Sequence, residues 1–223
     1  MKLLQYIRYF FLSISNRGFL FTIKLLLLEP YYERQLGIRT LAIENLEGMN
    51  VLDTDFQINH HYQGASYYVL HQVFEAMNQQ VHHHSILDYG CGKGRPMIVA
   101  AREGFTNVKG IDLAEELCVI ATKNIEIIKA DFPETSFTIA HANATTYSDI
   151  DDVDVFFFFN PFGRSVINKV IENMRESIKR KHRTIYVIYV NPHFFDCFIH
   201  ENFEIIYELR SKKYSEAMIL RLN

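Results

Sequence analysis

Apolar positions follow two rhythms along this chain. Short apolar runs occupy 85–89, Asn107 to Leu113, Ser136 to Ala142, Val153 to Phe159 and Thr184 to Val190, the pattern of strands buried in a parallel sheet. Between them lie stretches of helical period. Ser66 to Gln79 and Arg95 to Glu103 are two; Ala114 to Ala130 places Leu117, Ile120, Ala121, Ile125 and Ile128 on one face, and Ser165 to Lys181 does so with Val166, Val170, Ile171, Met174 and Ile178. Two last runs, Phe203 to Leu209 and Ala217 to Leu222, are joined by a polar turn too short for a helical crossover, so they pair antiparallel. The prediction is an α/β fold: a mostly parallel seven-strand sheet with helices on both faces and a C-terminal antiparallel hairpin.

Residues 1–28 keep neither rhythm. They are apolar and basic, with Lys2, Arg8, Arg17 and Lys24 and no acid before Glu29. The longest uncharged runs, Tyr9 to Asn16 and Gly18 to Ile23, fall far short of the roughly 20 residues a membrane span requires. No small-residue cleavage site marks a secretory signal. One or two amphipathic helices are expected, packed on the following domain or closing over it as a lid. A helix lying on a membrane surface is the alternative, because basic and aromatic residues alternate with leucines. Glu29-Pro30 is expected to break the pattern, leaving a short helix and a loop over Tyr31 to Asn50, punctuated by Gly37 and Gly48. The chain thus divides into a helical extension, 1–50, and a domain, 51–223, whose motif-bearing core is 85–223.

Composition narrows this picture. A chain of 223 residues with 48% hydrophobic content suits one domain with a sizeable core plus an extension. A net charge of -3 and a pI near 6.4 give no strong nucleic-acid footprint. Cys91, Cys118 and Cys197 are odd in number and widely spaced, so neither a disulfide framework nor a zinc site is suggested; a cytoplasmic location is expected, with attachment at the membrane surface left open. His82, His83 and His84 cannot converge on one ion from an extended backbone, and no metal is expected. Asp149, Asp151, Asp152 and Asp154 read as a solvated loop, and the basic run from Lys179 to Arg183 as a helix end that favours the negative pole of the dipole.

The candidate chemistry starts at 85–94, where an apolar strand ends in glycines at alternate positions, Gly90, Gly92 and Gly94, and runs directly into a helix. Glycine is required where the backbone turns with positive φ or approaches a ligand closely, and the helix aims unpaired amides and a positive dipole end at whatever lies there. A Walker phosphate loop is excluded, since Lys93 is followed by Gly94 and not by Ser or Thr. A dinucleotide fingerprint is weakened, because its sixth position is Arg95. Asp88, Gly90, Gly92 and Gly94 do fill Asp-x-Gly-x-Gly-x-Gly, which resembles the first motif of class I S-adenosylmethionine-dependent methyltransferases. Asp112, about 20 residues further on, is placed to accept hydrogen bonds from both ribose hydroxyls of an adenosine. The layout of seven strands with a closing hairpin is similar to that family as well, over about Ser85 to Asn223.

The resemblance implies S-adenosylmethionine as cofactor, with Asp88, Gly90 and Gly92 holding its methionine part and Cys91 and Gly94 completing the bend. It implies Asp112 with Leu113 at the ribose and Asn143 with Ala144 at the adenine, Asn143 standing where the family usually has aspartate. Tyr62 and Tyr67 are candidates to cover the bound molecule or, equally, to anchor their loop on the core. At the end of the fourth core strand, Asn160-Pro161-Phe162 is similar to the Asn-Pro-Pro-aromatic motif of amine- and amide-directed methyltransferases, with Phe162 and Gly163 in place of the last two residues. This implies Asn160 and Pro161 as acceptors for a nitrogen nucleophile and Phe162 as the packing surface; a plain tight turn is the alternative. An NAD(P)-dependent oxidoreductase and a non-catalytic cofactor-binding protein remain the competing functions, and the methyl acceptor is not legible.

Overall fold

The computed structural model describes residues 2–40, 44–45, 61–62, 64–80, 85–159 and 162–223, with 2–9, 44–45 and 61–62 described by their backbone alone. Helices α1, Lys2–Arg17, and α2, Phe19–Leu36, form the extension. Residues 44–45 pair antiparallel with 61–62. Then follow α3, Tyr67–Asn78; β1, Ser85–Tyr89; α4, Arg95–Arg102; β2, Asn107–Asp112; α5, Glu115–Ile128; β3, Ser136–His141; and β4, Val155–Phe159. The chain closes with α6, Arg164–Arg180; β5, Ile185–Val190; α7, Phe195–His200; β6, Glu204–Arg210; and β7, Ser215–Leu222.

The seven strands form one sheet in the order β3-β2-β1-β4-β5-β7-β6. The first five pair parallel, while β7 is antiparallel to both β5 and β6. Alternating side chains sort onto two faces. Ile86, Val108, Phe157, Ile188 and Ile219 pack in one core with α3, α4 and α5. Leu87, Tyr89, Phe156, Phe158 and Val187 pack in the other with α6 and α7. Gly110 on β2 is required by contact: a Cβ there would lie 2.4 Å from Met97 Sδ and 2.9 Å from Cys91 Cβ. The chain runs outward from β1 to β2 and β3 on one side, then returns to place β4 and β5 on the other. A ligand crevice is expected at such a reversal, outside the carboxyl ends of β1 and β4.

Pro30 does not end the second helix. It lies inside α2, which continues to a left-handed cap at Gly37. A proline inside a helix costs about 3 kcal/mol, and tertiary contacts on both sides of it offset that. Tyr32 stacks on Tyr67 at 5.0 Å and on His71 at 4.6 Å, Leu36 packs against the core, and Glu29 and Glu33 enter a buried polar cluster. Asp149 to Asp154 are also not a merely solvated loop. No helix joins β3 to β4, and this segment is fastened instead by protein cations: Lys109 Nζ lies 3.0 Å from Asp149 and 2.8 Å from Asp152, and Arg180 holds Asp151 at 2.7 Å. The basic run at the end of α6 is thereby engaged, with Arg183 donating to the carbonyls of Ile150 and Val153. Helix α7 has no counterpart among the expected elements; its six residues are held by burial of Cys197 and Phe198. No helix among the described residues is long and apolar enough to cross a membrane.

Candidate functional site

The bend after β1 is built from three residues with positive φ, Gly90 at 78°, Gly92 at 53° and Gly94 at 82°, a region in which L side chains are strained. Each part of the bend is tied down. Gly90 N and Cys91 N both donate to Ile111 O at 2.9 Å, and Gly94 N donates to Cys91 O at 2.8 Å. Asn124 on α5 donates to Lys93 O at 3.0 Å. Gly92 N donates to Asp112 Oδ2 at 2.9 Å, while the other carboxylate oxygen of Asp112 accepts from Ala114 N at 2.9 Å. Asp112 therefore shapes the bend and the start of α5, and its remaining lone pairs are what it can offer a ligand. Burial raises its pKa, opposed by the amides of Ala114, Gly92 and Leu113.

Asp88 sits behind the bend, 2% exposed, and neither carboxylate oxygen has a hydrogen-bond partner among the described residues. Burial, and after it the negative charge of Asp112, pushes its carboxyl well above the usual carboxylate range. A buried carboxylate without a partner is costly, and a cationic or donor-rich ligand group is the chemistry that relieves it. Cys91 is buried at 2%, and the hydrogen bond with Cys118, together with burial, raises its thiol pKa. Its contribution to the bend is backbone shape rather than a thiolate.

The other sequence-derived residues are distributed as follows. Leu113 accepts at its carbonyl from His141 Nε2 at 2.9 Å, which ties the end of β3 to that of β2. Asn143 turns its side-chain carbonyl onto Thr145, accepting from the amide at 2.9 Å and the hydroxyl at 2.8 Å, a local turn of the kind asparagine favours. Ala144 is buried in the α6-side core. Phe162 packs edge-on against Tyr89 and Phe158, each at 6.4 Å, so it extends the aromatic stack beneath the crevice. Asn160 and Pro161 lie outside the described residues, as do His82 to His84 and the side chain of Tyr62. Tyr67 is fully buried and stands at the start of α3 as an anchor of the extension.

Sequence reasoning missed Arg95. The first residue of α4, immediately after the bend, is 1% exposed. Its guanidinium donates to Glu29 Oε2 at 2.7 Å, Thr40 Oγ1 at 2.7 Å and Ala65 O at 2.6 Å, and it lies over the Tyr67 ring at 4.3 Å. Glu29 also accepts from Tyr67 N at 2.8 Å. The available signal was Glu29 itself, an acid directly after four leucines in an otherwise acid-free segment, since a carboxylate in such a place implies a buried cation.

A family model described as methyltransferase domain matches residues 86–181, from β1 through the end of α6. No curated protein matches the chain. Among solved structures, tRNA (uracil-54, C5)-methyltransferase of Pyrococcus abyssi in complex with S-adenosyl-L-homocysteine is similar with a TM-score of 0.53 at 20% identity, covering 71% of this chain and 39% of that one. Magnesium protoporphyrin IX methyltransferase of Synechocystis PCC 6803 is similar with a TM-score of 0.51 at 12% identity in its complex with SAH, covering 69% and 80% of the two chains. The same enzyme with bound SAM gives 0.51 at 14% identity, covering 72% and 85%. At these identities the likeness is one of fold.

Proposed function

We propose that the chain, whose residues 86–181 match a methyltransferase-domain model, is a class I S-adenosylmethionine-dependent methyltransferase that transfers the methyl group of S-adenosylmethionine to a nitrogen presented at the carboxyl end of β4. The observation that carries the cofactor assignment is Asp88: a buried carboxylate with two unpartnered oxygens, beside a bend of three positive-φ glycines. That arrangement suits the ammonium of an amino-acid tail, whose positive charge would favour the ionised carboxylate, whereas a diphosphate would gain no charge pairing from Asp88. The residues fit the cofactor elsewhere too, Asp112 by its remaining lone pairs and α4 by the positive end of its dipole. The NAD(P) reading is disfavoured by the same carboxylate and by β7, an antiparallel strand between β5 and β6 that a dinucleotide domain does not have.

The cofactor supplies a methyl carbon already activated by positive sulfur, so the protein's task is placement and exclusion of water. Asp112 fixes the bend through Gly92 and α5 through Ala114. Phe162, Tyr89 and Phe158 make an apolar floor at the end of β4. Nitrogen as the accepting atom is supported by Asn160-Pro161-Phe162, whose side-chain and backbone carbonyls would accept hydrogen bonds from a nitrogen nucleophile and orient its lone pair.

The test is transfer of isotopically labelled methyl from S-adenosylmethionine to a panel of amine, amide, hydroxyl, carboxyl and carbon acceptors, with wild type and Asn160→Ala. Labelled product on nitrogen acceptors, lost in Asn160→Ala while S-adenosylhomocysteine affinity is kept, supports the reading. Labelling of oxygen or carbon acceptors that Asn160→Ala leaves unchanged overturns the nitrogen assignment.

A further inference from the structure

Helix α2 is apolar on both its faces, yet the fold covers only one. Phe21, Leu25, Tyr32 and Leu36 pack against the core. On the other side Leu20 is 75% exposed, Leu27 64%, Phe19 59% and Tyr31 51%, and the end of α1 adds Phe11 at 63%. Seven of the twelve exposed large hydrophobic residues among those described fall on these two helices. A helix apolar all round is normally covered all round, and a contiguous exposed patch of this kind marks a contact surface.

The charges around the patch identify what covers it. Residues 1–28 contain four basic residues and no acid. Where α1 meets α2, an open cavity of about 430 Å³ is lined by Arg17, Lys24, Phe19, Leu20, Phe21 and Tyr68, with Gly18 at the bend. The turn between β6 and β7 lies against the same junction, with Lys213 N donating to Asn16 O at 2.9 Å and Lys213 Nζ to Asn16 Oδ1 at 3.2 Å. That turn adds Lys212 and the half-exposed Tyr214, over whose ring Arg17 lies at 5.5 Å. Arg17 is balanced by the nearly buried Glu216 at 2.6 Å. Lys24, Lys212 and Lys213 form no ion pair with a described residue, and Lys24 rests on the Tyr68 ring at 4.9 Å.

Leucine and aromatic side chains bordered by uncompensated lysines match a bilayer interface, where the apolar groups enter the acyl boundary and the ammonium groups meet phosphates. A second copy suits this face poorly, because a two-fold interface would set the basic rim against itself. A protein partner suits it less well too, since lysine is depleted at protein interfaces. The helices are 16 and 18 residues long and neither is long and apolar enough to cross a membrane, so a bilayer would be met along their length and not spanned. We propose that the outer face of α1 and α2, together with the β6–β7 turn, docks on a bilayer carrying anionic phospholipid, and that the cavity beside Arg17 and Lys24 receives a lipid phosphate. This surface is independent of the proposed methyl transfer.

The experiment is vesicle flotation of the full chain with phosphatidylcholine alone and with phosphatidylcholine containing phosphatidylglycerol, at low and high salt. The chain is expected to float with the anionic vesicles only and to be released by salt, which screens surface charge. Lys24→Glu/Lys212→Glu/Lys213→Glu is expected to lower the partition coefficient at least about a hundredfold, and Leu20→Ser/Leu27→Ser to abolish flotation, each with an unchanged thermal unfolding midpoint. The charge variant decides alone if the leucine variant unfolds, because two of its three sites lie on an exposed turn. Absence of flotation at low salt, equal flotation on neutral vesicles, or a charge variant that floats like wild type overturns the proposal. A dimer in light scattering that Leu20→Ser/Leu27→Ser dissociates also overturns it, by assigning the face to a second copy.

Discussion

Glu29 Oε2 lies 2.7 Å from Arg95 Nη1, joining the middle of α2 to the first residue of the helix that follows the glycine bend. Both ends of the pair are enclosed, with side-chain exposures of 1% for Arg95 and 16% for Glu29. The extension is therefore bolted to the candidate site and not merely laid beside it. Removing one partner of a buried pair strands the other and costs about 3–5 kcal/mol. Glu29→Ala is expected to lower the unfolding midpoint by about 6–20 °C, taking about 2–4 °C per kcal/mol for a chain of this size. Replacing both partners by apolar residues, Glu29→Leu/Arg95→Met, is expected to cost less than either single change; a calorimetric double-mutant cycle measures this.

Asp88 should make the ligand-free protein less stable as pH rises. Its carboxyl pKa is raised by burial and then by Asp112, so across the interval from the ordinary carboxylate pKa up to the raised value the folded protein holds a proton that the unfolded chain has released. The stability this proton contributes is fully present below the ordinary pKa and is lost as pH climbs through the raised one. Asp88→Asn cannot ionise. It is predicted to unfold at a higher temperature than wild type at neutral pH, by a few degrees, and the gap is predicted to close on acidification. Melting curves of both proteins across pH check this.

The double role of Asp112 gives a separate expectation. Its two oxygens hold Gly92 N and Ala114 N, and an amide in its place can accept through only one of them. Leaving one buried donor unsatisfied costs about 1–3 kcal/mol. Asp112→Asn is therefore expected to speed hydrogen exchange at the amide of Gly92 or Ala114, whichever loses its partner, while the amides of β1 stay protected.

Gly94 tests the backbone of the bend itself. With φ at 82° and an added Cβ only 3.3 Å from Ala121 Cβ, Gly94→Ala combines a left-handed conformation costing roughly 1–2 kcal/mol with crowding against α5. A fall in unfolding midpoint and a loss of cofactor affinity are expected together. An equivalent substitution at Gly163, where φ is negative and nothing lies within 4 Å of the added Cβ, meets neither strain nor crowding and is expected to cost about 1 kcal/mol or less, the difference between glycine and alanine as a helix N-cap.

The parts of this molecule that were legible in sequence are those fixed by local rules. Gly90, Gly92 and Gly94 announce a positive-φ bend because few other residues tolerate one, and the hairpin of β6 and β7 is forced by the shortness of its turn. Strand β4 was visible as an unbroken apolar run because both its faces are covered, with Phe157 in one core and Phe156 and Phe158 in the other. What escaped depends on partners distant in sequence. The cost of Pro30 is offset by Tyr67, His71 and Arg95, which lie dozens of residues away. The aspartates ahead of β4 do lie on an exposed loop, but their pairing with Lys109 and Arg180 depends on residues that sequence order keeps apart. Asn143 carries too little local signal to tell a ligand contact from the turn it makes with Thr145, and α7 is too short for periodicity to reveal.

In the proposed reaction Asp88 and the glycine bend take the ammonium-bearing tail of a sulfonium nucleoside. Isothermal titration of wild type and Asp88→Asn with S-adenosylhomocysteine, and of wild type with NAD, tests it most directly. Wild type is expected to bind S-adenosylhomocysteine, Asp88→Asn to bind it at least about tenfold more weakly, as follows from loss of a charged hydrogen bond, and NAD to give no heat. Binding of NAD in place of S-adenosylhomocysteine, or identical S-adenosylhomocysteine affinity in the two proteins, would contradict it.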